Sequence, residues 1–179
     1  AFLLSNRRIE WLLENLRAIP HVELIRLGTR TLVTMPMRVD AELAAVLGKY
    51  HPVFVNTQFN HPHEVTPEAA KACDTLTRSG VPLGNQMVLL RGVNASPHTV
   101  KKLNHELLKI RVLPYYIFHA KGVRGTIHFR TRVETGLEVM EALRGQTSGL
   151  AIPTYIINAP EGYGKTPALP QHIISWSPD

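Results

Sequence analysis

The 179-residue sequence predicts an α/β fold, with a parallel sheet covered by helices. Strand-like runs such as Pro52-Val53-Phe54-Val55-Asn56 and Thr154-Tyr155-Ile156-Ile157-Asn158 are continuously apolar, as expected of strands deep in a parallel sheet. Between such runs lie segments with apolar residues at helical spacing and capping residues at their starts. Roughly four or five such units are too few to close an eight-stranded barrel, and an open doubly wound sheet satisfies the same periodicity.

Each element has its own signal. Ser5 or Asn6 can cap a helix with Ile9, Leu12, Leu13 and Leu16 on one face, stopping near Pro20. Val22–Leu27 reads as a strand ending at Gly28, and Leu32–Met35 as a second extended piece. Asp40 can cap a short helix carrying Leu43, Val46 and Leu47. After the strand 52–56, Thr66-Pro67-Glu68 opens a helix with proline in its first turn, and Gly80 is placed to end it. Met87–Leu90 is the next strand, Pro97–Ile110 a helix, Tyr115–Phe118 a strand and Val133–Arg144 a helix. The strand Thr154–Asn158 leads into a glycine-containing loop around Lys165, and the tail 170–179 reads as extended.

Composition narrows the function classes. A hydrophobic share of 44% with 19% charged residues fits a folded globular chain and opposes disorder. No apolar run approaches the roughly 20 residues of a membrane span, and the apolar-then-basic start reverses the order of a secretory signal. The single cysteine, Cys73, cannot by itself make an internal disulfide or a cysteine-rich metal site, which points to the reducing cytosol. The net charge of +6 is spread from Arg7 to Lys165 rather than gathered in a block, so neither nucleic acid nor a membrane is an expected partner.

In parallel α/β folds ligands gather beyond the carboxyl ends of the strands. Those ends read Thr29-Arg30, Asn56-Thr57-Gln58, Gln86, His119-Ala120-Lys121 and Asn158, an amide- and cation-rich rim suited to an anionic ligand. The segment Glu161-Gly162-Tyr163-Gly164-Lys165-Thr166-Pro167 contains Gly-Lys-Thr. A phosphate-binding P-loop needs glycine five residues before Gly164, where Ala159 stands, and a helix afterwards, which Pro167 and Pro170 oppose. Flanking glycine lets a lysine approach a ligand closely, and a desolvated amine can form an imine. Without further context, however, Lys165 reads as a solvated loop residue. His61-Pro62-His63-Glu64 fails the zinc-protease spacing because Pro67 replaces the second histidine, so these histidines read as turn caps. Cys73 reads as helix packing, and no nucleophile-elbow sequence is present.

Several stretches together carry a specific resemblance: Ile19-Pro20-His21-Val22-Glu23-Leu24-Ile25-Arg26, Val55-Asn56-Thr57-Gln58-Phe59-Asn60-His61-Pro62, Gly80-Val81-Pro82-Leu83-Gly84-Asn85-Gln86 and Leu89-Leu90-Arg91-Gly92-Val93-Asn94. With them go Pro114-Tyr115-Tyr116, Leu143-Arg144-Gly145-Gln146-Thr147-Ser148-Gly149 and the loop 159–167. In this order they resemble the lysine 2,3-aminomutase family over essentially the whole chain. The resemblance implies a radical S-adenosylmethionine enzyme with a partial parallel (βα) barrel. Residues 1–150 would supply its later strands, and 151–179 the last strand, the lysine loop and an extended tail. The cysteine motif for the 4Fe-4S cluster and the S-adenosylmethionine motif are expected upstream of Ala1.

By position, Lys165 matches the family's pyridoxal 5′-phosphate lysine, which would hold the cofactor as an imine. Gln86, Arg30, Asn56 and Gln58 match rim positions near S-adenosylmethionine or that cofactor. Lysine-specific members place two aspartates where Lys121 and Asn158 stand here. That lysine–asparagine pair resembles the glutamate 2,3-aminomutase branch, and charge agrees. A second ammonium beside Lys121 costs on the order of several kcal/mol, whereas a carboxylate finds a cation and an amide donor. Ser96 replaces a cysteine of an intersubunit zinc site, so no metal ligand is expected in this chain.

The implied reaction moves the 2-amino group of L-glutamate to C3, giving β-glutamate, through an aldimine and a 5′-deoxyadenosyl radical. A lysine 2,3-aminomutase, and a non-catalytic anion-binding remnant, are the competing readings. A homo-oligomer is expected of the full-length protein, with the isolated fragment inactive.

Overall fold

The computed structural model describes residues 1–159 and 164–170. Six strands form one sheet in the order of the sequence: β1 Ile25–Gly28, β2 Val53–Thr57, β3 Leu83–Leu89, β4 Val112–His119, β5 Thr154–Asn158 and β6 Lys165–Pro167. The first five are parallel, and β6 turns back antiparallel to β5. The helices are α1 Asn6–Arg17, α2 Thr31–Thr34, α3 Ala41–Lys49, α4 Pro67–Arg78, α5 Pro97–Lys109 and α6 Val133–Leu143.

Because each parallel strand adds to the same edge, every crossover steps in one direction. With the right-handed preference for such crossovers, the main helices gather on one face and the sheet curls into a half-barrel. Burial follows that geometry. On β3, Leu83, Asn85, Met87 and Leu89 are buried while Gly84, Gln86 and Val88 are only partly covered. Leu83, Met87 and Leu89 join a core with Leu13, Leu43, Leu47, Leu76, Leu103, Leu107 and Leu143 from the helices, and Asn85 is buried on the backbone of Phe59. The other set faces the concave side. One-sided burial is the difference from an ordinary parallel sheet, whose two faces are both covered.

Local chemistry sets the boundaries. The Ser5 and Asp40 side chains accept from Arg8 N and Leu43 N at the starts of α1 and α3. Thr66 caps α4, and Gly80 follows its end with φ +77°, a conformation that suits glycine. Leu32–Met35 is not extended: Thr31–Thr34 is one helical turn. The Thr29 hydroxyl accepts from Thr31 N, and Leu32 is fully buried, which outweighs the strand preference of the Thr-Leu-Val-Thr run. Val22–Leu24 lies outside β1, and β3 begins four residues before the expected Met87.

Lys165, expected in a loop, opens strand β6 instead. The extended reading of the tail lies outside the described residues beyond Pro170.

Candidate active site

β4 shapes the concave face around the lysine. Its register with β3 slips by one residue: Asn85 faces Pro114, but Gln86 faces Tyr116, leaving Tyr115 as the extra residue. Such a bulge breaks the strict alternation of side chains, so two consecutive residues can share a face. Tyr115 and Tyr116 accordingly stack with ring centroids 3.9 Å apart, and the Tyr115 hydroxyl donates to the Tyr116 oxygen at 3.0 Å.

The direction of Lys165 follows from pairing. Asn158 lies opposite Lys165, Ile156 opposite Pro167, and Phe118 opposite Ile156, so these side chains project to the same side of the sheet. The Lys165 Nζ lies 5.0 Å from the Tyr116 ring centroid and 5.3 Å from that of Phe118. Such exposed cation–π contacts are worth about 0.5–1 kcal/mol each, enough to orient a lysine without fixing it. Gly164, with φ +97°, and the bond from Ala159 N to Gly164 O at 3.1 Å return the chain so that β6 can pair with β5.

Lys121, Asn158 and Lys165 line one open cleft of about 760 Å³ at the carboxyl ends of β4 and β5, together with His119 and Arg130. Among the described residues that line it there is no aspartate or glutamate. His119, at the end of β4, is buried, and its Nδ1 lies 2.8 Å from the Tyr155 Oη. Burial, and secondarily the charge of Arg130, hold this imidazole below its usual range. Burial pushes the Tyr155 hydroxyl up to about 12, so it keeps its proton.

The other residues singled out in the sequence lie elsewhere. Arg30, at the end of β1, is ion-paired to Glu64 at 2.7 Å. Glu64 also accepts from the backbone N–H groups of Asn60 and His61, so the salt bridge anchors the loop after β2. Asn56 is buried, with its Nδ2 unpartnered among the described residues. It lines a second, largely apolar hollow on the concave face with Arg26, Phe54, Gly84 and Tyr115. Gln58 is exposed. Gln86 sits in the middle of β3 rather than at its end, opposite the Tyr116 that underlies Lys165.

Of the two histidines His61 caps a turn: its Nδ1 accepts from His63 N at the start of the short helix Pro62–Glu64, and His63 contributes only that backbone N–H. Cys73 is buried in α4 and its thiol is pushed up to about 12 by that burial. Among the described residues no group of three or more His, Cys, Asp or Glu gathers to hold a metal, and no helix is long and apolar enough to cross a membrane. Arg130 and Tyr155 were not legible as site residues. Arg130 lies in an irregular loop with no pattern, and Tyr155 reads only as strand core.

Comparison with known proteins bears on the family. Residues 140–179 match the family described as Lysine-2,3-aminomutase. Over 179 residues the chain is 59% identical to a glutamate 2,3-aminomutase of Clostridioides difficile strain 630, covering all of this chain and 42% of that protein. It is 55% identical over 178 residues to an L-lysine 2,3-aminomutase of Fusobacterium nucleatum, covering 99% of this chain and 42% of that one. It is also 52% identical over 179 residues to an L-lysine 2,3-aminomutase of Clostridium subterminale, covering all of this chain and 43% of that relative. The chain thus spans less than half the length of these relatives. Among solved structures, a radical SAM methyltransferase from Sphaerobacter thermophilus aligns with 75% of this chain and 40% of its own, at 16% identity and a TM-score of 0.49, a likeness too low to inform function. With more than half of its residues identical, across essentially its whole length, to glutamate and lysine 2,3-aminomutases, the chain belongs to the lysine 2,3-aminomutase family.

Proposed function

We propose that this chain is the C-terminal part of a glutamate 2,3-aminomutase, an isomerase that moves the 2-amino group of L-glutamate to C3. The observation that carries the reading is the cleft shared by Lys121, Asn158 and Lys165, which no acidic side chain lines among the described residues.

The residues present fit pyridoxal phosphate. Lys165 presents a primary amine in an open cleft, above a shelf made by Tyr116 and Phe118. Lys165 would hold the cofactor, which when bound would supply an aldehyde carbon for imine formation with the migrating nitrogen and a conjugated ring to delocalise an unpaired electron. Its amine would be exchanged for that of the substrate and would stay in the cleft through the tether of β6. An iron–sulfur cluster does not fit this chain, whose one cysteine is buried and holds its proton to about 12. This chain spans 42% of its glutamate 2,3-aminomutase relative, and we assign the cluster's ligands and the principal S-adenosylmethionine site to the part of a complete protein outside it.

At the far end of the substrate, Lys121 supplies a positive charge and Asn158 an amide donor for the side-chain carboxylate. The sheet fixes one side of the span. Asn158 is paired with Lys165 across β5 and β6, so the distal group and the imine-forming amine are held on one frame. A lysine substrate would bring its ammonium against Lys121 and Arg130, at a cost on the order of several kcal/mol.

The test is turnover by the complete, cluster-reconstituted protein offered L-glutamate and L-lysine in parallel, with the 2- and 3-amino isomers separated chromatographically. Glutamate is expected to be isomerised with the higher kcat/KM; preferential conversion of lysine overturns the substrate assignment. The 55% identity to the Fusobacterium lysine enzyme makes lysine the competing substrate, and the same assay decides between them.

A further inference from the structure

We propose that His119 is a specificity-determining residue of this site, a neutral imidazole whose Nε2–H is presented to the cleft as a third donor for the substrate's distal carboxylate. The proposal rests on the glutamate reading given above and assigns that subsite a residue the family pattern did not supply.

The argument starts from a buried hydroxyl. Tyr155 is fully buried, and its ring occupies space that exists only because α6 carries a glycine facing it: a Cβ on Gly136 would lie 2.1 Å from the Tyr155 Cζ. A buried phenol must place its hydrogen on an acceptor or lose free energy. Among the described residues the Tyr155 Oη has one partner, the His119 Nδ1 at 2.8 Å. Tyr155 therefore donates, Nδ1 accepts, and the imidazole proton is on Nε2.

The protonation state agrees with this. His119 is only 6% exposed, and burial together with the Arg130 charge disfavours the imidazolium. A second proton on Nδ1 would also collide with the hydrogen that Tyr155 donates. The ring is thus locked as a one-way donor whose other nitrogen has no hydrogen-bond partner among the described residues.

Position gives the donor its use. His119 lines the same cleft as Lys121, which follows it by two residues, and Asn158, which follows Tyr155 by three. The hydrogen bond from Tyr155, near the start of β5, to His119, the last residue of β4, also ties together the two strands that lead to Asn158 and Lys121. A carboxylate has about four acceptor sites, so a lysine, an amide and an imidazole N–H can bind it together without competing. The neutral donor adds selectivity that a third cation would not. It favours an acceptor in a defined direction and gives no further attraction to anions at large.

The test uses the complete protein loaded with pyridoxal phosphate. Two ligands of equal chain length are titrated against the cofactor's absorbance: L-glutamate, and L-2-aminopentanoate, which lacks the distal carboxylate. His119→Phe is expected to weaken glutamate by about tenfold or more while leaving 2-aminopentanoate within about twofold. His119→Gln, which keeps a donor, is expected to retain glutamate affinity within about threefold. Equal weakening of both ligands in His119→Phe reduces the residue to packing and overturns the proposal.

Lys121→Met separates the levels. If it leaves the preference for glutamate intact, the carboxylate subsite itself is wrong. If it abolishes that preference while His119→Phe keeps it, only the histidine assignment fails. Nitrogen-15 shifts of the imidazole in the unsubstituted protein give a reading independent of any variant's folding. An unprotonated Nδ1 is expected, and a proton found there overturns the tautomer and the proposal with it.

Discussion

Gly136→Ala tests whether the cleft wall is set by the contact between α6 and β5. The added methyl carbon would sit 2.1 Å from the Tyr155 Cζ, 2.3 Å from Cε1 and 2.5 Å from Oη. Ordinary carbon contacts lie near 3.5–4.0 Å, so the ring must retreat by more than about 1 Å. It cannot swing freely, because Tyr155 is fully buried in the core and held at its far end by His119. Overpacking of this kind costs about 1–3 kcal/mol. Breaking the hydrogen bond to His119 adds about 1–3 kcal/mol for a buried phenol left without a partner. The expected loss is therefore about 2–6 kcal/mol, a large part of the roughly 5–15 kcal/mol of a typical domain. Urea denaturation at equilibrium reads it as a fall in midpoint at unchanged slope. The control is Tyr155→Leu, which shortens the side chain facing Gly136. In that background Gly136→Ala should cost less than about 1 kcal/mol, so the two changes couple strongly. A cost below about 1 kcal/mol in the unsubstituted protein, or an equal cost in both backgrounds, refutes the packing argument.

Three further outcomes follow from the site. Lys165→Ala should abolish imine formation with pyridoxal phosphate; borohydride-trapped cofactor recovered on another lysine of the variant, with the same absorbance change, contradicts the assignment. Lys121→Asp combined with Asn158→Asp should lower kcat/KM for glutamate by at least about 100-fold, in line with about 3 kcal/mol for reversing a charge contact, and should raise activity toward lysine. Unchanged glutamate kinetics count against the carboxylate subsite. Cys73 should resist alkylation in the native protein and react once it is unfolded. Its folded thiol keeps its proton to about 12 against an ordinary 9, so its contribution to stability is present below pH 9 and is lost as the pH rises from 9 toward 12. Rapid native labelling, or stability rising through that window, argues against its burial.

Much of the architecture was legible because its signals are local. Caps at Ser5, Asp40 and Thr66, the proline in the first turn of α4 and the glycine after its end mark the helices in the sequence as they do in space. The errors arise where tertiary contacts decide. Thr31-Leu32-Val33-Thr34 has strand composition, yet Leu32 is buried and the Thr29 hydroxyl accepts from Thr31 N, so the segment coils. β6 carries no apolar signal, since Lys165–Pro167 is exposed throughout. It is a strand because β5 offers it an edge. Neither the extra residue in β4 nor the space opposite Gly136 leaves a sequence pattern, because both concern pairing between segments far apart in the chain. Lys121 and Asn158 could be singled out from family pattern and charge. Their meeting with Lys165 needed the register.

That register bears on how the exposure of Lys165 is to be understood. An exposed lysine beside a glycine is ordinarily a solvated loop residue, and the sequence by itself favours that reading. Exposure alone cannot distinguish such a residue from an amine held ready over an open site, because both are wet. Direction can. Side chains alternate along a strand, so a slip of one residue in the pairing of β6 with β5 would send Lys165 to the opposite face of the sheet. The observed pairing of Asn158 with Lys165 instead puts the amine on the face of Phe118 and Tyr116, with the aromatic rings beneath it. The one-sided burial of the half-barrel then explains why this face is open while its reverse is core. The lysine is exposed because the site is concave and uncovered, not because the strand carrying it is loose.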